Sequence, residues 1–364
     1  MKRILFITPF TPCNKDAGSN YTKQLLEKLA LSNQIDLCYF KYKNDPLYNP
    51  SNKNIQIIKK LSNNKFLKIT NIIFFPFLFP LFTVRFNWII LIQLYYLTRK
   101  RNYDIIYCDF SQTFLYAKFL RHNNIILMSH DVIYQRFSRK KINFKTWIKF
   151  SENWVLHGKN KHTFTFSSKD NQLLSTLYGI KSRDVCFFIP QPIYNTMPST
   201  LTNNIIFFGM WKRVDNYQSL EWFIDNILPH ITCNTTIIGG GLPNHLNDKI
   251  KKLKNIQYIG FIENPYPIIA NAKALLSPLF SGAGVKVKVI EALACGTPVI
   301  GSKIAFEGID NIYHNFMIEV NTISEYITAI ENIHFSLEER IEFKKFFQQN
   351  YSKKSILDYI NRIS

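Results

Sequence analysis

The stretch "ALLSPLFSGAGVKVKVIEALACGTPVIGS", residues 274–302, reads as strand, glycine loop, helix and strand. "ALLSPLF" and "TPVIGS" are short apolar runs closed by Gly, Pro and Ser. The segment between them, Val285 to Cys295, has the length and spacing of a helix that is apolar almost all round. Two strands joined through a helix become parallel neighbours, because a parallel pair needs a crossover connection. At 100° per residue, Gly284, Lys288, Glu291 and Cys295 fall within about 60° of one another. They form one narrow polar seam on a helix otherwise packed on both sides by Val287, Ile290, Leu293 and Ala294 and by Val289 and Ala292. A buried seam has to be satisfied by something. One reading is a Lys288–Glu291 pair at i, i+3, worth a few tenths of a kcal/mol. The other is a ligand: free amides at the glycine-rich start and the cations Lys286 and Lys288 receive an anion, and Glu291 accepts hydrogen bonds from hydroxyls. Lysines at a helix N-terminus oppose the macrodipole, which favours the anion.

The same order recurs along the chain. "RILFITPF" is a strand, followed by the loop "TPCNKDAGSN" and by "YTKQLLEKLALS", whose Leu25, Leu26 and Leu29 have helical spacing. "QIDLCYF", "YDIIYCD", "NIILMSHD", "HTFTFSS" and "DVCFFIP" continue the strands of a first half. Periodicity stops at "QPIYNTMPSTLTNN", residues 191–204, which we read as a linker. The second half restarts with "NIIFFG", the loop "MWKRVDN", the helix "YQSLEWFIDNILPHI", and the strands "TTIIGGG" and "IQYIGF". The chain closes in helix, with Ser336 three residues before Glu339 at capping-box spacing. The expected architecture is α/β, with two doubly wound parallel-sheet domains facing a central cleft and ligands at the carboxyl ends of the strands. Residues 1–195 form the first domain, 196–340 the second, and 341–364 a C-terminal helix packing back on the first.

The 364 residues carry 46% hydrophobic and 19% charged side chains, a globular balance. Six scattered cysteines show neither a C-x-x-C pair nor zinc-ligand spacing, so neither a disulfide framework nor a structural zinc is indicated, and a reducing cytoplasm fits best. Residues 1–195 hold 29 Lys and Arg against 10 Asp and Glu, the remainder 16 against 15, so nearly all of the +20 lies in the first half. Such a half meets nucleic acid, an anionic membrane or acidic substrates, or is a solvated surface. "MKRILFITPF" has too short an apolar core for a secretory signal. "IIFFPFLFPLFTV", residues 72–84, is too short to span a bilayer and is broken by Pro76 and Pro80, leaving core packing or an interfacial wedge beside basic neighbours.

Residues 260–309 resemble the donor-binding half of glycosyltransferase family 4, the retaining, nucleotide-sugar-dependent enzymes of GT-B fold with two Rossmann-like domains. The resemblance is to the branch reading G-x-G-x-[RK]-x-K-x-x-E-A-x-A-x-G-x-P-V, with which Gly282, Gly284, Lys286, Lys288, Glu291, Gly296 and Pro298 are in register. It extends to "IIFFGMWKRVDNYQSLEWFIDNILPHI" and, in the first half, to "YDIIYCD" and "SHD". It implies that Glu291 holds the ribose hydroxyls and that Gly282, Ala283 and Gly284 offer amides to the sugar and diphosphate. It also implies that Lys288 and Lys286 face the diphosphate, Lys288 with a catalytic role. Gly209, Lys212 and Arg213 resemble the phosphate loop of the second domain, Gly18 the glycine loop of the first, and His130 the residue that contacts the sugar near the reacting carbon. The chain departs from the parent Glu-x7-Glu pattern at Ala283, where the first Glu falls.

The resemblance implies a hexosyl transfer to a glycan or lipid-linked acceptor in cell-surface polysaccharide synthesis, with the nucleotide sugar as co-substrate and no cofactor. Fixed amides and lysines take the charge of the leaving diphosphate without a metal; "FID" and "CDF" are isolated aspartates, not a D-x-D motif. The basic half and the Phe-rich run point to an enzyme peripheral on the cytoplasmic face of the inner membrane, touching anionic lipid. Nucleic acid is not expected as a partner, because the best-defined motif lies in the neutral half. The alternatives are a nucleotide-sugar epimerase of the same fold and a non-catalytic polyanion- or nucleotide-binding protein.

Overall fold

The computed structural model describes residues 1–363 except 15, 43–44, 63–64, 140–141 and 159–160. The chain forms two compact units, one of Met1–Cys186 with Lys354–Ser364 and one of Phe187–Lys353.

In the first unit, seven parallel strands run in the order β3-β2-β1-β4-β5-β6-β7. They are β1 (Lys2–Thr8), β2 (Asn33–Phe40), β3 (Ile55–Leu61), β4 (Ile105–Asp109), β5 (Ile125–Met128), β6 (Lys161–Thr165) and β7 (Ser182–Asp184). The central strands are buried on both faces, so they read as continuous apolar runs rather than alternations. The helix Ala17–Leu29 buries Tyr21, Thr22, Leu25, Leu26 and Leu29, the stripe its leucine spacing announces. In the second unit, six parallel strands run β10-β9-β8-β11-β12-β13. They are β8 (Asn204–Phe208), β9 (Asn234–Ile238), β10 (Ile256–Gly260), β11 (Ala274–Ser277), β12 (Val299–Gly301) and β13 (Met317–Glu319). The strand order of each sheet therefore reverses once, between β1 and β4 and between β8 and β11. At such a switch point the loops after the two strands diverge and leave a crevice.

The units divide between Cys186 and Phe187 rather than at residue 195. Ile189 and Ile193 already belong to the second unit's core, and Lys344 Nζ donates to the Ile193 carbonyl at 2.7 Å. The closing segment is not one helix. Leu337–Tyr351, capped by the expected Ser336–Glu339 box, stays with the second unit. Residues 354–364 rejoin the first, where Lys2 Nζ donates to the Ile360 carbonyl at 2.8 Å and Lys354 Nζ meets Asp184 at 2.6 Å. "DVCFFIP" yields only the short β7, because residues past Asp184 leave the sheet for the second unit. Two strands outside the sequence reading, β3 and β13, are edge strands.

The run at 72–84 is partly buried and partly exposed. Phe75, Leu78 and Phe82 enter the core. Ile72, Ile73, Phe74 and Phe77 stay exposed and join Phe66 and Ile69 of the helix Lys65–Phe74 and Ile89, Ile92 and Tyr96 of the helix Trp88–Lys100. Phe74 and Trp88 touch edge-to-face at 5.6 Å, linking the two helices. Among the described residues, no helix is long and apolar enough to cross a membrane.

Candidate functional site

The crevice of the second sheet is bounded by the loop after β8, residues 209–213, and the loop after β11, residues 278–286. The second loop feeds the helix Val287–Ala294. This helix begins two residues later than its apolar spacing predicts, because Gly282 (φ +139°) and Gly284 (φ +67°) hold backbone conformations no helix contains. Lys286 is therefore the cap residue, not a first-turn residue, and no side chain caps this N-terminus. The leading amides are left for an external acceptor.

Three cations gather here. Lys286 folds back so that Nζ donates to the Gly284 carbonyl at 2.6 Å. Lys288 Nζ donates to Asn216 Oδ1 at 3.3 Å. Burial, reinforced by the like charges of Lys286 and Arg213, pulls the Lys288 ammonium down to about 7. Glu291, only 8% exposed, accepts from the Tyr266 hydroxyl at 3.2 Å, and burial pushes its carboxyl up to about 7. Among the described residues no ion pair joins Lys288 to Glu291, so the seam is not closed by the i, i+3 bridge. Each group leans on a neutral partner from another element, and Cys295 at its end is buried. A site that gathers three basic side chains beside a helix start without a side-chain cap suits a polyanion.

The loop after β8 is held from behind. The Trp211 backbone N–H donates to the Gly240 carbonyl at 3.0 Å and its indole N–H to the Ile238 carbonyl at 3.1 Å. Asn216 Nδ2 donates to the Met210 carbonyl at 2.8 Å, which places its Oδ1 toward Lys288. Ser281 donates to Asp215, tying the two loops together. Gly209 packs against Gly239, whose φ is +117°; a Cβ on Gly239 would overlap the Gly209 carbonyl oxygen. Lys212 lays its stem across Gly241, whereas the Arg213 charge is near enough to Lys288 to help lower its pKa. Gly239, Gly240, Gly241, Trp211, Asn216 and Tyr266 are site-building residues that sequence reasoning left out. The Gly-Gly-Gly run after an apolar strand was the available signal, since three such glycines mark close backbone approach.

The far ends of two helices are clamped by one side chain. Arg340, 1% exposed, donates from Nε to the Gly296 carbonyl (2.7 Å) and from Nη1 to the Ala272 carbonyl (2.7 Å). Its Nη2 reaches the Ala270 carbonyl and Thr297 Oγ1, both at 2.9 Å. Those acceptors end the helix bearing Glu291 and the helix Tyr266–Asn271 bearing its partner. Burial lowers the guanidinium to about 10, and the carbonyl ends of two helices supply the negative field it lacks in carboxylates.

Gly18 and His130 lie in the first unit. His130 Nε2 faces Asp109 Oδ1 at 2.8 Å, and Asp109 Oδ2 also accepts from Thr8 (3.1 Å) and Thr22 (2.5 Å), so the imidazole is held in one orientation. Phe110 stacks on its ring at 3.4 Å. Gly18 is helical, not a left-handed turn glycine; a Cβ there would come 2.8 Å from the Phe110 ring, and the neighbouring Ser19 amide is already capped by Asp16. In this structure Gly18 makes room for Phe110.

Known proteins place this architecture. A family model described as "Glycosyl transferases group 1" matches residues 202–334, the span of β8 to β13. A curated relative, "Uncharacterized 44.6 kDa protein in cps region" of Klebsiella pneumoniae, is 23% identical over 296 residues, 72% of this chain and 74% of that protein. Among solved structures, the lipopolysaccharide outer core galactosyltransferase WaaB superposes with a TM-score of 0.66 at 15% identity, over 99% of this chain and 98% of that one. WaaG, a glycosyltransferase involved in lipopolysaccharide biosynthesis, gives 0.69 at 10% identity over 99% of both. Anabaena Alr3699/HepE in complex with UDP gives 0.66 at 12% identity, over 100% and 98%. At these identities the likeness shows the fold, which is the GT-B arrangement of two Rossmann-like parallel-sheet units.

Proposed function

We propose that the protein is a retaining glycosyltransferase of family 4 that moves a hexose from a nucleotide-diphosphate sugar to a glycan or lipid-linked acceptor in cell-surface polysaccharide synthesis. The observation that carries this reading is the grouping of Lys286, Lys288 and Arg213 at an uncapped helix start, with a carboxyl, Glu291, one turn deeper. A diphosphate needs the first and a ribose the second. The group 1 match over the same residues and the UDP complex of Alr3699/HepE support it.

In this mechanism the bond from the anomeric carbon to the diphosphate oxygen breaks while the acceptor oxygen bonds to that carbon. The acceptor proton passes to the leaving diphosphate. Negative charge grows on the diphosphate, where Lys288, Lys286, Arg213 and the amides of 282–284 stabilise it more than in the ground state. Lys212 and Gly209 line the phosphate loop, and His130, oriented by Asp109, contacts the transferring sugar. No metal is required, so activity survives chelation by EDTA. The test is a thermal-shift screen against nucleoside diphosphates and nucleotide sugars, repeated with Glu291→Ala and Lys288→Ala. Stabilisation by a UDP-type ligand that both variants leave intact would remove the assignment. NMR of the product anomer tests retention, and release of free nucleotide without any acceptor would favour an epimerase.

We place the enzyme on the cytoplasmic face of the inner membrane through the exposed face built from Phe66, Ile69, Ile73, Phe74, Ile89 and Ile92. Lys68, Arg99 and Lys100 lie on the same two helices, the pattern of an interfacial binder. Cosedimentation with anionic vesicles at low salt, lost in an Ile73→Asp, Phe74→Asp double variant, is the expected result. Equal sedimentation of both proteins refutes it.

A further inference from the structure

A row of rings runs along the carboxyl ends of four adjacent strands in the first sheet. Tyr42 follows β2, Phe10 follows β1, Phe110 follows β4 and His130 follows β5, and those strands neighbour one another in that order. Phe110 lies parallel to His130 and meets Phe10 edge-on at 5.1 Å. The Arg85 guanidinium sits over Phe10 at 4.7 Å and over Tyr42 at 5.7 Å, and its Nε donates to the Tyr42 hydroxyl at 2.7 Å. The middle of the row lies at the switch point between β1 and β4, where a doubly wound sheet receives its ligand.

Two features show that the row is held in place rather than incidental. Phe110 is the one non-glycine among the described residues with positive φ (+60°), a strained conformation that persists where its surroundings demand it. Residue 18 is the glycine that leaves this ring its space. A third feature points to the ligand. Among the described residues Arg85 has no carboxylate partner, and its Nη1 is buried with no hydrogen-bond acceptor. A guanidinium between two ring faces with no counter-ion awaits one.

We infer that this row is the acceptor subsite, and that the acceptor presents to it a sugar ring bearing an anionic group, phosphate or carboxylate, which pairs with Arg85. The inference rests on the glycosyltransferase reading and adds the acceptor's chemical class. The C–H face of a pyranose is slightly positive and aromatic faces are negative, so the ring is received on a face of Phe10 or Tyr42 that the guanidinium does not cover. The guanidinium fork matches either anion with two parallel hydrogen bonds.

The experiment is calorimetric titration of the full chain with glucose 1-phosphate, glucuronate, methyl glucoside and inorganic phosphate, each with and without UDP. Either anionic sugar is expected to bind at least about 10-fold more tightly than methyl glucoside, as a charge-assisted bidentate contact gives. The better of the two identifies the source of the charge. Arg85→Met is expected to bring the anionic sugars level with the neutral one, Arg85→Lys to give an intermediate ratio, and Phe10→Leu to weaken all three sugars. Inorganic phosphate binding as tightly as glucose 1-phosphate, or an unchanged ratio in Arg85→Met, overturns the inference. Should Arg85→Met fail to fold, the wild-type ratio and Arg85→Lys still decide it. UDP binding without any saccharide binding refutes the subsite and leaves the donor site standing; charge-selective saccharide binding without UDP binding does the reverse.

Discussion

On the proposed reading, Lys288 and Glu291 make nucleotide-sugar binding depend on pH in a way that can be worked out from their surroundings. In the free protein both titrate near 7, Lys288 lowered by burial and by its cationic neighbours, Glu291 raised by burial. At pH 8 about nine-tenths of Lys288 is neutral, and at pH 6 about nine-tenths of Glu291 is protonated. In the proposed complex a diphosphate is held by the ammonium, and ribose hydroxyls donate to the carboxylate. Binding therefore takes up a proton above pH 7 and releases one below it. Affinity for UDP-glucose, whose diphosphate has no proton to exchange in this range, should peak near pH 7 and fall toward a limit of about tenfold per pH unit on either side. In the unliganded protein the linkage has the opposite consequence. Glu291, with its raised pKa, contributes stability that is full below about 4.5 and lost as pH rises through about 7. Lys288, with its lowered pKa, contributes stability that is full above about 10.5 and lost as pH falls through about 7. The pair thus contributes least to folding where it binds best. Calorimetry in buffers of different ionisation enthalpy measures the proton count directly. Lys288→Arg should abolish the alkaline limb and Glu291→Gln the acid limb. A flat wild-type profile, or an alkaline limb surviving in Lys288→Arg, refutes the reasoning.

Four further substitutions test the scaffold. Gly239→Ala places a Cβ on the Gly209 carbonyl in a positive-φ conformation and should cost at least ~3 kcal/mol in urea unfolding. Gly179→Ala, also at positive φ but with nothing within 4 Å, should cost only about 1 kcal/mol. Arg340→Met strands three carbonyls and the Thr297 hydroxyl oxygen and should lower stability by at least ~3 kcal/mol, with UDP affinity falling further than the loss of folded protein accounts for. Glu152 is buried and accepts from the Ile133 and Tyr134 amides and the Tyr178 hydroxyl, so Glu152→Gln turns a donor toward donors. It should cost about 1–3 kcal/mol on a melting curve while leaving UDP affinity of the folded protein unchanged.

The strands buried on both faces were legible because burial demands apolar runs, as in "RILFIT" and "NIIFF". The edge strand β3, "IQIIKKL", was not, because Lys59 and Lys60 face solvent on a strand with a single neighbour. The polar seam of the Val287–Ala294 helix followed from its angular spacing, and Lys288 and Glu291 do lie buried or half-buried along it. Their partners were not legible. Asn216 and Tyr266 are 72 and 25 residues away in sequence, and only the return of the chain to the sheet brings them near. Lys286 was misplaced by two positions, in the first turn rather than at the cap, because positive-φ glycines delay the helix start, which apolar spacing cannot register. Gly18 illustrates the opposite limit. A glycine within a helix says that something approaches closely, and only the fold identifies it as Phe110.

The chain leaves the first unit at Cys186 and re-enters it at Lys354, and these two residues are hydrogen-bonded, Cys186 N–H to the Lys354 carbonyl at 2.9 Å. One step outward, the Phe187 N–H donates to the Tyr351 hydroxyl at 3.1 Å. The second unit is thus a cassette spliced into the first by its two adjoining ends. It can be excised as residues 187–353 or circularly permuted through a short Gly-Ser joint without stretching either terminus. The basic half behaves differently. Cut before residue 354, it loses the segment that anchors Lys2 on its first strand. Ribosomal synthesis meets the same asymmetry: the cassette can complete itself while the surrounding half still waits for the last eleven residues.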